Sequence, residues 1–220
     1  MRPNSVNPYR ERLLDFPGRL FAFFDRADDE ALLGEKLREN RELYCELGAG
    51  SGMFSVELAS RAEQNLFFAF ELRYKRAVRA AEKARERGLA NLFVLRRDAS
   101  ELDLLFAPKS LSGIYLNFPD PWAKRRWKKH RLLNNSFMDK LDLLLSDNGF
   151  FSFRTDHEEY FSSFVELLES DRRFCVGDYS ENYAASSCAK FHPRSEFELL
   201  FRAKGVPIYY LKIGRRAGVE

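Results

Sequence analysis

A short apolar run, Leu43–Leu47, breaks at once into Gly48-Ala49-Gly50-Ser51-Gly52, and apolar residues then return at helical spacing as Phe54, Leu58 and Ala59. A buried strand that turns through glycines into a helix sets the unit from which the rest of the chain is built. The alternation continues. Strands are predicted at Leu66–Phe70, Leu92–Leu95, residues 113–118, 149–153 and 206–213. Helices are predicted at residues 51–61, 73–87, 130–146 and 156–169. The second carries Ala77, Ala80, Ala81 and Ala84 along one side and stops at Gly88; the last carries Tyr160, Phe164 and Leu168, with Asp156 or Thr155 as its cap. Such repetition predicts an α/β chain with a mostly parallel sheet covered by helices on both faces. Residues 10–41, with Leu20, Phe23, Phe24, Leu32 and Leu33, read as a mixed-charge helical arm. The expected organisation is one domain, an arm of residues 1–41 followed by an α/β core of residues 42–220.

The 220 residues suffice for one domain with a full core, and 45% apolar content excludes a disordered chain. The 21 phenylalanines recur within apolar runs and are assigned to core packing. A net charge of only +3 requires any nucleic-acid surface to be a local patch. Cys45, Cys175 and Cys188 form no Cys-x-x-Cys pair, and His130, His157 and His192 lack metal-ligand spacing, so neither a disulfide framework nor a metal is expected. No apolar run reaches membrane-spanning length and no signal peptide opens the chain, which predicts a cytoplasmic protein with no membrane association.

The glycine turn does not have the Gly-x-Gly-x-x-Gly spacing of a dinucleotide site, and Glu46 precedes it. A carboxylate beside the turn repels a pyrophosphate. Glu71 ends the second core strand, about twenty residues on, where a carboxylate accepts hydrogen bonds from ribose hydroxyls. Asp98 and the Ala99 amide follow the third strand and are placed to meet an adenine edge. Glu46 is available for an amino group. These acids describe a pocket for a cationic nucleoside, and S-adenosylmethionine fits that charge balance.

The fourth strand runs into Asn117-Phe118-Pro119-Asp120-Pro121-Trp122. Two prolines hold a lone carboxylate in a restricted turn. Next comes Lys124-Arg125-Arg126-Trp127-Lys128-Lys129-His130-Arg131, six cations in eight residues without an acid, which suits a polyphosphate partner.

With Thr155-Asp156 and Ser195-Glu196-Phe197-Glu198 added, these segments resemble the bacterial tRNA (guanine-N7)-methyltransferase family over nearly the whole chain. The resemblance implies a Rossmann-like class I methyltransferase with a mostly parallel seven-stranded sheet and S-adenosylmethionine as cofactor. It implies methyl transfer to N7 of a guanosine in the tRNA variable loop. By the same likeness Glu46, Gly48, Gly50, Glu71, Asp98, Ala99 and Asp120 contact the cofactor, with Asp120 also in the active site. Lys124, Asp156, Ser195, Phe197 and Glu198 contact the substrate nucleotide, while Arg126, Lys128, Lys129 and Arg131 hold RNA. Without the resemblance, Ser195 and Glu198 read as surface loop residues. Trp127, where the family often has His, either stacks on a base or packs. The expected assembly is a monomer or homodimer.

Guanine N7 carries a lone pair and no proton, so in-line transfer is expected to need alignment and electrostatics without an obligatory general base. Two other readings stand beside this one: a methyltransferase acting on an exocyclic amine, and a non-enzymatic RNA-binding module.

Overall fold

The computed structural model describes residues 7–21, 28–190 and 192–216. Phe23 and Phe24 of the predicted arm lie outside them. The chain divides into two compact units, Met1–Asp98 and Ala99–Glu220.

In the first unit, α1 (Pro8–Arg12) starts from Asn7, whose side chain accepts from the Tyr9 N–H. It is followed by β1 (Leu20–Phe21), α2 (Asp28–Leu37), β2 (Leu43–Leu47), α3 (Met53–Arg61), β3 (Leu66–Phe70), α4 (Tyr74–Glu86) and β4 (Leu92–Leu95). Strand β1 pairs with β4, β4 with β3, and β3 with β2, all parallel. β3 is buried at all five positions, as its unbroken apolar sequence requires of a strand covered on both faces. The expected helical arm is therefore interrupted, because Leu20 and Phe21 are fully buried as a strand against Val94 and Leu95. Helix α4 buries Ala77, Val78, Ala80, Ala81 and Ala84, and it ends at Gly88, where φ is +64°.

In the second unit, α5 (Leu102–Leu105) leads to β5 (Leu111–Asn117), α6 (Asn135–Leu144), β6 (Leu145–Thr155), α7 (Glu158–Ser170), β7 (Phe174–Ser180), α8 (Glu196–Ala203) and β8 (Tyr209–Arg215). β5 and β6 are parallel; β8 runs antiparallel to both β6 and β7. Phe151, Phe153, Tyr160, Phe161 and Phe164 pack between β6 and α7 with ring centroids 5.5–6.2 Å apart.

The fold is α/β and Rossmann-like, with helices flanking strands that are mostly parallel. Eight strands are present among the described residues rather than seven, four in each unit. Strand β7 left little trace in the sequence because only Phe174 of its seven residues is buried. Among the described residues no helix is long and apolar enough to cross a membrane, and no cluster of three or more His, Cys, Asp or Glu is placed to hold a metal ion.

Candidate active site

In the first unit Glu46, Gly48, Gly50, Glu71 and Asp98, five of the predicted cofactor residues, sit at or just past the carboxyl ends of β2, β3 and β4, whereas Ala99 and Asp120 belong to the second unit. Glu46 is 5% exposed and accepts from the Ser55 hydroxyl of α3. Glu71 joins the glycine turn to the start of α4: Oε2 accepts from the Gly50 N–H at 3.0 Å and Oε1 from the Arg73 N–H at 2.8 Å. Each oxygen keeps a lone pair for a further donor. Gly50 has φ +60°, and a Cβ there would enter open space at the mouth of the turn. Gly52 has φ +78°, and its Cβ would lie 2.7 Å from the Ala80 Cβ, so the alanine stripe of α4 and this glycine permit one another's approach. Gly48 is exposed, and Asp98 and Ala99 are half-buried where β4 gives way to a 3₁₀ turn. Carboxylates at the ends of these strands, with that of Glu71 bonded to the glycine turn, fit a ligand that is cationic, rich in hydroxyls and amino groups, and free of phosphate.

In the second unit β5 and β6 end side by side, with Asn117 opposite Arg154. The Phe118 N–H donates to the Arg154 carbonyl at 2.8 Å, so the Asp120 loop and Asp156 leave adjacent strands. Phe118 (φ +51°) and Trp122 (φ +44°) both lie in the left-handed region. Bulky residues seldom adopt it, at a cost of about 1–3 kcal/mol each. Between them Pro119 and Pro121 flank the exposed Asp120.

The basic stretch is a 3₁₀ turn, Arg125–His130, and not the start of the predicted helix, which begins at Asn135 with Asn134 as its cap. Lys124, Arg125, Arg126 and Lys129 are exposed. Trp127 packs edge-on to Trp122, with the Lys124 ammonium 4.7 Å and the Arg126 guanidinium 5.1 Å from its ring centre. Lys128 pairs with Glu159 at 2.5 Å. Arg131 differs from the rest: its side chain is 6% exposed and turned inward onto Pro121, Glu159 and Ser163, so it is not part of the exposed basic surface.

The cap of α7 is neither Asp156 nor Thr155. His157 Nδ1 accepts from the Tyr160 N–H at 3.2 Å, and the Thr155 hydroxyl accepts from the His157 N–H. The Asp156 carboxylate is thereby left out of the capping bond. It lines a cleft of about 530 Å³ with His157, Glu158, Glu159 and Ser162. Hydrogen bonds from Arg131 and then Lys128 pull the Glu159 carboxyl down to about 2.

Ser195 and Glu198 are not surface loop residues. Ser195 caps α8 by accepting from the Glu198 N–H at 3.1 Å. Ser-x-x-Glu is a capping-box pattern, the signal by which a helix start was legible here. The Glu198 carboxylate reaches Arg154 Nη1 at 3.0 Å and Arg202 Nη2 at 2.7 Å. Phe197 is 41% exposed and lies 6.2 Å from the Phe118 ring. Arg154 and Arg131 were missed as site-building residues. An arginine directly after the apolar run Phe150-Phe151-Ser152-Phe153, within the same strand, was the available sign of a buried partner.

The family model described as "Putative methyltransferase" matches residues 40–211. A tRNA (guanine-N(7)-)-methyltransferase of Clostridioides difficile is 37% identical over 87% of this chain and 90% of that protein. Its counterpart in Lactobacillus delbrueckii is 31% identical over 95% and 93%. A bifunctional glycosyltransferase/methyltransferase of Fusobacterium nucleatum is 31% identical over 91% of this chain, which spans 31% of that protein's length. Among solved structures, an rRNA methylase from Streptococcus thermophilus shares the fold with a TM-score of 0.54 and 15% identity, over 84% of this chain and 93% of that one. The chain belongs to the tRNA (guanine-N7)-methyltransferase family.

Proposed function

We propose that this chain transfers a methyl group from S-adenosylmethionine to N7 of a guanosine in the variable loop of tRNA, in the cytoplasm. The observation that carries the reading is the 118–122 loop, where a lone exposed carboxylate is fixed between two prolines and two left-handed aromatic residues, directly before a turn of exposed cations. Family membership and the names of the relatives support the same activity.

Glu71 accepts from the ribose hydroxyls with the lone pairs left by Gly50 and Arg73, Glu46 takes the amino group, and Asp98 with the Ala99 amide holds the adenine edge. When bound, S-adenosylmethionine supplies an electrophilic methyl on a sulfonium. The nucleophile is a neutral ring nitrogen, so positive charge arrives on the purine and no proton has to be removed from N7. Asp120 aligns the reacting groups and offsets that charge. Asp156 accepts from guanine N1–H and the amino group, within a cleft whose other acids favour a cationic product. Phe197 offers the purine an apolar face, Ser195 and Glu198 hold the helix that carries it, and Lys124 approaches the nucleotide. Arg126, Lys128 and Lys129 contact phosphates, which offsets a few kcal/mol for exposing the base.

The test is Asp120→Ala. The variant should keep the wild-type melting temperature and lose at least about 100-fold in kcat for unmodified tRNA, since misalignment alone costs that much. Near-normal turnover would refute the role of Asp120 in the reaction.

A further inference from the structure

The loop that carries Asp120 is strained at both ends and exposed at its tip, so something outside it must fix its geometry. Its amino end is tied by the Phe118 N–H to the Arg154 carbonyl. Its other end is tied by one side chain. Arg131 Nε donates to the Pro121 carbonyl at 2.8 Å. The same guanidinium donates through Nη1 and Nη2 to the Glu159 carboxylate, and through Nη1 to the Ser163 hydroxyl at 3.3 Å. Its carbon lies 4.5 Å from the centre of the Tyr160 ring. Tyr160, Glu159 and Ser163 all belong to α7, whose first turn follows Asp156.

We propose that Arg131 is a positioning residue: its guanidinium bridges the Pro121 carbonyl to the first turns of α7, and so sets Asp120 in register with Asp156. This rests on the methyltransferase reading above and adds a residue that acts through the loop without touching substrate. Only a planar guanidinium reaches a carbonyl on one edge and a carboxylate on the other; an ammonium satisfies one of the two. Glu159, half-exposed, keeps the cation in place from the solvent side, and its depressed carboxyl keeps the bridge charged at every working pH.

The experiment compares Arg131→Ala, Arg131→Lys and Glu159→Gln with the wild type, by steady-state kinetics on unmodified tRNA at several salt concentrations. Arg131→Ala should lose about 100-fold in kcat with little change in KM, and Arg131→Lys about tenfold. The slope of log KM against log salt should stay at the wild-type value in both, because no phosphate contact is lost. Added guanidinium ion should restore part of kcat to Arg131→Ala and none to Asp120→Ala. Glu159→Gln, which leaves the Pro121 bond in place, should lose only a few-fold. Wild-type kcat in Arg131→Lys and Glu159→Gln would overturn the proposal even if Arg131→Ala failed to fold. A slope flattened by about 0.7–0.9 would also overturn it, by assigning Arg131 to RNA. Amide exchange at Phe118, whose N–H is protected by the Arg154 carbonyl, reads the loop independently of catalysis: it should quicken in Arg131→Lys, and unchanged exchange would refute the tie. A wild-type protein inactive on tRNA would sink the methyltransferase reading, and the exchange result would still decide the bridge.

Discussion

Arg154 and Glu198 form an ion pair with 3.0 Å between Nη1 and Oε2, at 0% and 1% side-chain exposure. The pair joins the end of β6 to the first turn of α8. Arg154 Nη1 also donates to the Pro193 carbonyl at 3.2 Å, and its guanidinium lies 4.5 Å from the Tyr183 ring centre. One charged pair thus fixes both the segment leading to Asp156 and the helix bearing Phe197. Glu198, assigned by resemblance to the substrate, is 1% exposed, and its carboxylate is engaged by Arg154 and Arg202.

Breaking that pair leaves a buried charge without its partner. Glu198→Ala should cost about 3–5 kcal/mol in urea unfolding. A loss below about 1 kcal/mol would show that the pair is solvated.

His192 donates to or accepts from the Tyr183 hydroxyl at 3.1 Å, and it faces Arg154, Lys212 and Asp178. Burial first, then Arg154, pushes it down to about 4. The unfolded chain therefore takes up a proton near pH 6.5 that the folded chain refuses until about pH 4. Stability should fall as pH drops through that window, and His192→Gln should remove this part of the fall. An identical pH–stability curve for the variant would contradict the assignment.

Gly52→Ala should destabilise by about 2–4 kcal/mol, from overpacking against Ala80 together with the left-handed backbone. Adding Ala80→Gly should give a double variant less destabilised than the sum of the two single ones, measured by denaturant melts. Strict additivity would mean that the two positions do not meet.

Lys129 is exposed in the basic turn. Lys129→Gln should raise KM for tRNA and flatten the log–log salt slope by about 0.7–0.9 with kcat unchanged. An unaltered slope would remove Lys129 from the RNA surface.

What the sequence made legible was what repeats or is locally determined. Strands Leu43–Leu47, Leu66–Phe70 and Leu92–Leu95 appear with their predicted bounds because they are mostly apolar runs, buried at every position but the half-buried Tyr44. Gly88 ends its helix because only a residue at ease with positive φ closes it. The acids at strand ends were visible for the same reason, since strand ends were visible. Residues whose role depends on partners far along the chain were not. Arg131 looked like one more cation in a charged run, and its contacts with residues 159 and 163 come only from packing. The solvent-facing β7 lacked the alternation that marks a half-buried strand. His157 capped α7 in place of two better-known capping residues because its ring reached the Tyr160 N–H.

The most direct test of the account is to incubate the protein with S-adenosylmethionine labelled in its methyl group and unmodified tRNA, then cleave the product by chemistry specific for 7-methylguanosine. The account predicts label in the tRNA and one cleavage site, at a guanosine of the variable loop. Label in adenine, at an exocyclic amine or in no RNA at all would contradict it.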